Sequence, residues 1–450
     1  MHRTLRSYLP LGIALLLGPT LQAQWELVGP QQFSNGWARH TNIAFAQDNT
    51  PYVAYTDMSL LEKVVVKRYI GDVWETVGTA GFSAGSALDL SLAFSPEGTP
   101  YVAYRDMTQS QKATVMSFQG GNWQVVGQAG LSEGQAMLTC VAIAPNGTPY
   151  LSYRDAAHEY KVTTQKFENG AWSLVGGAGH TPYYASSLSM AFDHDGVVHV
   201  ALAGTGGSRV ERFVNGAWQL LGEDSSFYNA STASLAIASD NTVYMAYLDG
   251  SNDFGGSMKR YVNGAWEQVG PVAFTNEDAS MDYYTMALDG NDVPYVAYKD
   301  SHAEQKATVQ RFVNGAWETV GPISFTPSAA DFVSLAIDQG DVPYVVFSDA
   351  TGFTFKSTVM RYANGPSSVA ERDTDGLALW PSPAQDMVHV NDVAQGAWVM
   401  VLDLAGQEVS RHRASGGLIT LDTTGLPNGV YLVRTQQQGT SRTARLVVAH

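Results

Sequence analysis

The chain predicts an all-β protein: a seven-bladed β-propeller of four-stranded blades, with an N-terminal strand closing the last blade, followed by a separate all-β module. Three observations carry this prediction. The stretch Asn314-Gly315-Ala316-Trp317-Glu318-Thr319-Val320-Gly321 recurs in variant form at Trp25, Trp74, Trp123, Trp172, Trp218 and Trp266, with steps of 49, 49, 49, 46, 48 and 51 residues. A period so regular marks one supersecondary unit copied in tandem. Each copy reads as four short strands between Gly/Asn turns, the pattern of a propeller blade. Lastly, the fourth-strand motif is displaced: it begins before the first unit, at Trp25, and is missing from the last, where Tyr362-Ala363-Asn364-Gly365 runs into Pro366.

The second unit shows the strands in order. Ser91-Leu92-Ala93-Phe94 is an apolar inner strand and Ser95-Pro96-Glu97-Gly98 a turn. Pro100-Tyr101-Val102-Ala103-Tyr104 is the second strand, Lys112 to Phe118 the third, and Trp123-Gln124-Val125-Val126-Gly127 the fourth. Asn-Gly pairs such as Asn169-Gly170 and Asn215-Gly216 suit tight hairpins, whose central residues need positive φ. An open array would leave strand edges exposed. Pairing of Trp25-Glu26-Leu27-Val28-Gly29 with the last unit removes them, so residues 24–365 are expected to close on themselves.

Composition narrows the function classes. The 450 residues are 45% hydrophobic, which fits a globular chain, and carry a formal net charge of −16. An acidic surface argues against nucleic acid and against anionic lipid. The single cysteine, Cys140, rules out an internal disulfide and lies in the apolar run Thr139-Cys140-Val141-Ala142-Ile143. Residues 1–23 read as a secretory signal peptide: Arg3 and Arg6, then an apolar segment from Leu9 to Leu17, then Leu21-Gln22-Ala23 before the cleavage point. That segment is too short to cross a bilayer, which takes about 20 residues, and no later stretch is long enough.

Residues 366–377 form a polar linker. Residues 378–450 begin with Leu379-Trp380-Pro381-Ser382-Pro383-Ala384. They continue with Val399 to Leu402 and Asp403-Leu404-Ala405-Gly406, then Leu426-Pro427-Asn428-Gly429-Val430-Tyr431 and a tail from Arg442 to Val448. The order aromatic-Pro-x-Pro-Ala, Asp-x-x-Gly, Leu-Pro-x-Gly-Val-Tyr resembles the C-terminal sorting domain of the type IX secretion system, with Ser382 where Asn is usual. The resemblance implies a small β-sandwich sorting domain, recognition by the outer-membrane translocon as partner, and release or surface attachment in a Bacteroidota-type cell.

No motif supplies a catalytic constellation. Gly81-Phe82-Ser83-Ala84-Gly85 and Gly130-Leu131-Ser132-Glu133-Gly134 match Gly-x-Ser-x-Gly, but a nucleophile elbow needs a strand before it and a helix after it. Here both lie between strands, in step with the repeat, and read as loop geometry. The recurrent Asp57, Asp106, Asp155, Asp249, Asp300 and Asp349 are followed at six or seven residues by Lys63, Lys112, Lys161, Lys306 and Lys356, except after Asp249. This spacing predicts a cross-strand ion pair at the hairpin, of about 0–1 kcal/mol each. The repeated tryptophans read as packing between sheets. Asp193-His194-Asp195-Gly196 reads as a turn, and the ten histidines show no zinc spacing. No cofactor or metal is implied.

Function is therefore expected in the loops that enter each first strand and join the second strand to the third. Trp37, Arg39, His40, Asp89, Tyr183, Tyr184, Asp282, Tyr283 and Asp331 are the candidate ligand-binding residues, an aromatic and polar set suited to a glycan or a protein. The alternative, a glycoside hydrolase or lyase acting on polysaccharide, needs carboxylates converging near the channel. Asp89, Asp282 and Asp331 are the candidates for that.

Overall fold

The structure is a computed structural model that describes residues 24–204, 206–223, 225–275, 284–363, 379–380, 384, 386–403, 407–437 and 440–448. Residues 1–23, the linker 366–377, Asp282 and Tyr283 lie outside them. Two compact units divide at Gly365 and Pro366.

The first unit holds seven four-stranded antiparallel sheets. The second of these runs Ala87–Phe94, Pro100–Asp106, Lys112–Gln119, Asn122–Val125, each strand hydrogen-bonded to the next. Second strands are enclosed on both faces: every residue of Pro51–Asp57 is buried. That is why Pro-Tyr-Val-Ala-Tyr reads as a continuous apolar run instead of an alternation. The seventh sheet draws its outer strand from the other end of the chain. Gln24–Leu27 lies against Lys356–Ala363 with Trp25 opposite Tyr362, the expected pairing. First strands pack on the first strands of neighbouring sheets, and Ala38–Phe45 packs on Ala330–Ile337.

The repeated tryptophans join one sheet to the next. Their indole N–H groups donate to carbonyls of the preceding sheet: Trp74 to Val28 at 2.8 Å, Trp123 to Val77 at 2.8 Å and Trp317 to Val269 at 3.0 Å. A ring from the intervening loop stacks on several of them: Phe33 on Trp74 at 4.7 Å, Phe82 on Trp123 at 4.3 Å and Phe274 on Trp317 at 3.8 Å. Such pairs add roughly 0.5–1.5 kcal/mol beyond burial. The glycine that ends the motif is required by this approach. At Gly321 φ is +75°, and a Cβ would lie 2.7 Å from the Tyr362 ring.

The recurrent aspartates have a different role from the expected one. Asp57, Asp106, Asp155, Asp300 and Asp349 do sit opposite their lysines in register. Their carboxylates, however, turn inward and cap the turn that follows. Asp106 accepts from the Thr108 N–H at 2.9 Å and hydroxyl at 2.6 Å, and from the Thr114 hydroxyl at 3.0 Å. Lys161 and Lys306 instead pair with Glu159 at 2.7 Å and Glu304 at 2.8 Å. A carboxylate two residues from an unsatisfied backbone N–H reaches it at little entropic cost. The Ser83 and Ser132 hydroxyls are also structural. Each is buried, donates to a glycine carbonyl two residues on, and accepts a backbone N–H, from Val64 and from Ala113.

The second unit is a three-stranded and a four-stranded sheet sharing one core. Leu379–Trp380, Met387–Val393 and Gly417–Asp422 form the first; Glu408–Arg413, Trp398–Leu402, Gly429–Gln437 and Thr440–Val448 form the second. Val388, Val390, Val399, Val401, Leu421 and Val433 are buried together between them.

Candidate functional site

The first strands begin earlier than their apolar cores suggest. Arg39 and His40 lie within Ala38–Phe45, Asp89 within Ala87–Phe94 and Asp331 within Ala330–Ile337. These residues are therefore strand residues and not loop residues, and the inner strands do carry carboxylates. What displaces them is a β-bulge. Pairing slips between Arg39 and Asn42, Leu88 and Ser91, Met137 and Cys140, Ser231 and Ser234, and Asp331 and Ser334. The extra residue is left-handed in each: His40 at φ 52°, Asp89 at 49°, Leu138 at 53°, Thr232 at 58° and Phe332 at 51°. None is glycine, and left-handed backbone costs an L-residue roughly 1–2 kcal/mol. A bulge re-aims a side chain. Here one backbone geometry, made five times, presents five different side chains.

Polar rungs hold these strands side by side. The Thr41 hydroxyl donates to the Phe332 carbonyl and the Thr139 hydroxyl to the Asp89 carbonyl. The Asn42 amide donates to Leu90 at 2.8 Å, and the Val141 N–H donates to Ser91 at 3.1 Å. The strands line a cavity of about 700 Å³ whose walls include Asn42, Asp89, Thr139, Ser187, Ser189 and Ser234. It is a hydroxyl-rich space with few charges.

Charges gather where the bulges are. Arg39 pairs with Glu62 at 3.0 Å, Asp89 with Arg105 at 3.0 Å and Asp331 with Lys299 at 2.6 Å. His40 packs against Phe332 with ring centroids 5.1 Å apart. Burial holds its pKa below the ordinary imidazole value, the charge of Asp89 opposing. Trp37 stands before the first strand, exposed, its ring 5.2 Å from Phe355. The structure thus brings Arg39, His40 and Asp89 into one cluster.

Tyr183 and Tyr184 are elsewhere. The Tyr183 ring packs over Gly204 and Gly206, and its hydroxyl reaches the Gly207 carbonyl at 3.3 Å. Tyr184 is exposed. Arg105, Lys299, Glu62 and Phe332 belong to the bulge region and were not among the residues that the sequence suggested. The signal for Arg105 was its place directly before a repeated Asp, which puts it opposite Leu88 in register. Among the described residues no three His, Cys, Asp or Glu side chains are placed to hold a metal ion.

Residues 378–449 match the protein family described as the secretion system C-terminal sorting domain. This part of the chain is a sorting domain. The sorting domain directs the protein to the cell surface or to the exterior, and it engages the type IX secretion machinery. No curated protein matches the chain. Among solved structures, YCF48 bound to D1 peptide is 13% identical over 78% of this chain and 96% of that chain, with a TM-score of 0.50. PorZ, a surface component of the type-IX secretion system of Porphyromonas gingivalis, is 15% identical over 91% of this chain, with a TM-score of 0.45. The match spans 59% of the PorZ chain. The SapL1 lectin in complex with alpha methyl fucoside is 14% identical over 65% of this chain and 97% of that chain, with a TM-score of 0.45. The likeness to YCF48 concerns the fold alone, a β-propeller. No helix among the described residues is long and apolar enough to cross a membrane.

Proposed function

We propose that this is an exported or cell-surface binding protein. In this reading residues 24–365 form a seven-bladed propeller closed by its N-terminal strand, residues 1–23 are a signal peptide, and 366–377 link the propeller to a β-sandwich sorting domain at 378–450. The propeller recognises a glycan or a protein through Trp37, Arg39, His40, Asp89, Tyr183, Tyr184, Asp282, Tyr283 and Asp331. One observation carries the reading: five copies of a strained bulge hold five different side chains on an otherwise constant frame. Strain kept at one repeated place while the side chain varies is the mark of a surface specialised for recognition.

The alternative reading, a polysaccharide-active enzyme, is weakened by the ion pairs of its carboxylates. Asp89 is matched by Arg105 and Asp331 by Lys299. Glycoside hydrolysis needs a pair of carboxyl groups directed at the scissile bond, and here each is directed at a cation.

The test is binding of the exported protein, residues 24–450, to arrays of glycans and of extracellular proteins. Retention of at least one ligand, weakened tenfold or more by Trp37→Ala, Arg39→Ala or Tyr184→Ala, is expected. Retention of nothing on either array, or ligands indifferent to all three substitutions, would contradict the proposal.

A further inference from the structure

The fourth sheet breaks the repeat in two linked places. In other sheets an aspartate ends the second strand and a third-strand threonine donates to it: Thr114 to Asp106 at 3.0 Å, Thr163 to Asp155 at 2.8 Å and Thr358 to Asp349 at 3.1 Å. The fourth sheet has Gly204 at the aspartate position and Arg209 at the threonine position. The carboxylate is gone, and a guanidinium stands where a small hydroxyl stood. The connection is also glycine-rich, reading Gly204-Thr205-Gly206-Gly207. A Cβ on Gly204 would lie 2.0 Å from the Tyr184 carbonyl oxygen, and one on Gly206 2.2 Å from the Tyr183 ring. Tyr183 thus fills part of the vacated volume.

Beside it is a pocket of about 220 Å³ between the fourth and fifth sheets, bounded by Tyr183, Gly206, Arg209, Glu223, Phe227 and Tyr228. A helical turn at Ser225–Asn229 supplies its far wall. Phe227 is buried, edge-on to Trp266 at 5.3 Å. That anchor leaves the neighbouring Tyr228 ring 62% exposed at the rim.

The guanidinium is held from behind. Glu211, 5% exposed, accepts from Arg209 Nη2 at 2.9 Å and from His180 Nδ1 at 3.0 Å. His180 stacks flat on Trp218 at 4.0 Å, and its Nε2 meets the Thr164 hydroxyl at 3.1 Å. Arg209 Nε is buried and has no hydrogen-bond partner among the described residues. The guanidinium, fixed by Glu211 and beside the Tyr183 side chain, stands at the pocket wall.

We propose that this pocket binds one neutral pyranose residue of a glycan. The inference rests on the binding-protein reading and names its ligand class. Three features select that class. At about 220 Å³ the pocket is smaller than the roughly 300–1,000 Å³ of sites for larger ligands, which suits a single ring. Tyr183 and Tyr228 offer apolar faces to the C–H side of a sugar, while the Arg209 guanidinium donates and Glu223 accepts, a pairing that serves hydroxyls, which do both. Charge excludes an anion: Arg209 is balanced by Glu211, Glu223 adds a negative group, and the chain carries −16.

The experiment is saturation-transfer NMR on the exported protein, residues 24–450. The ligands are methyl glycosides of glucose, galactose, mannose, xylose and N-acetylglucosamine, with glucuronic acid as the charged comparison. At least one neutral glycoside is expected to bind. Arg209→Ala and Tyr228→Ala should each weaken it at least tenfold, while Val73→Ala, an exposed position on the outer strand of the first sheet, leaves it unchanged. Tyr228 is exposed, so its variant should fold like the parent and report even where Arg209→Ala does not. The proposal is overturned by binding of none of the neutral glycosides, by preference for glucuronic acid, or by binding that Tyr228→Ala does not change. A glycan lost on Trp37→Ala but kept by Tyr228→Ala would leave the binding-protein reading standing and remove the sugar from this pocket.

Discussion

The indole N–H of Trp25 donates to the carbonyl of Val320 at 2.7 Å, across 295 residues of chain. The same ring stacks on Phe325 at 3.9 Å. Trp25 therefore does for the seventh sheet, from the opposite end of the chain, what the internal tryptophans do for theirs. Trp25→Ala should cost about 3–5 kcal/mol, and deletion of residues 24–30 more. Trp25→Phe keeps the stack and leaves the buried Val320 carbonyl without its indole donor, about 1–3 kcal/mol. Thermal melting of the three variants checks the order, and a melting curve unchanged by the deletion would sink the closure.

Ser83→Ala should lower stability by roughly 1–3 kcal/mol, because the Val64 N–H it caps is buried and loses its partner. Ser132→Ala should do the same through Ala113. Denaturant titration reads both. A serine that could be removed without loss of stability would not be the loop anchor described.

Acid should destabilise the fold in two stages. Burial lowers the pKa of His40, with Asp89 opposing and Arg39 adding to the effect, and burial lowers that of His199. The unfolded chain then takes up protons first, near the ordinary value of 6.5. Stability is full above that pH and falls as pH drops through the folded pKa values. Asp349 contributes lower down. Burial raises its pKa, but hydrogen bonds from Gln31, Thr351 and Ser328 outweigh this and leave it below 3.8. Its contribution is present above that value and lost beneath it. His199→Gln should flatten the first stage and Asp349→Asn the second, as read by melting temperature against pH.

Burial pushes the Cys140 thiol up to about 11, so little thiolate exists at neutral pH. Native protein at pH 7.5 should react with iodoacetamide far more slowly than protein in denaturant. Equal rates would show that the strand Ala136–Ile143 opens freely.

Much of this was legible in the sequence because it repeats. A tryptophan every 46 to 51 residues fixed the sheet count, and the displaced first copy fixed the partner of Gln24–Leu27. Two things were not legible. The Asp–Lys spacing gave the register of Asp106 and Lys112 but not the bond, since capping an N–H two residues away outcompetes an exposed ion pair worth less than about 1 kcal/mol. The bulges were hidden because His40, Asp89, Leu138, Thr232 and Phe332 share a left-handed backbone with no glycine to mark it. The loss of aspartate at Gly204 was visible, but only the structure shows Arg209 in the space it left.

Recognition without chemistry is tested most directly by incubation of residues 24–450 with each glycan the protein retains, followed by chromatography of the products. Every retained glycan is expected to be recovered intact. Cleavage that Asp89→Asn or Asp331→Asn abolishes would contradict it and make the protein an enzyme.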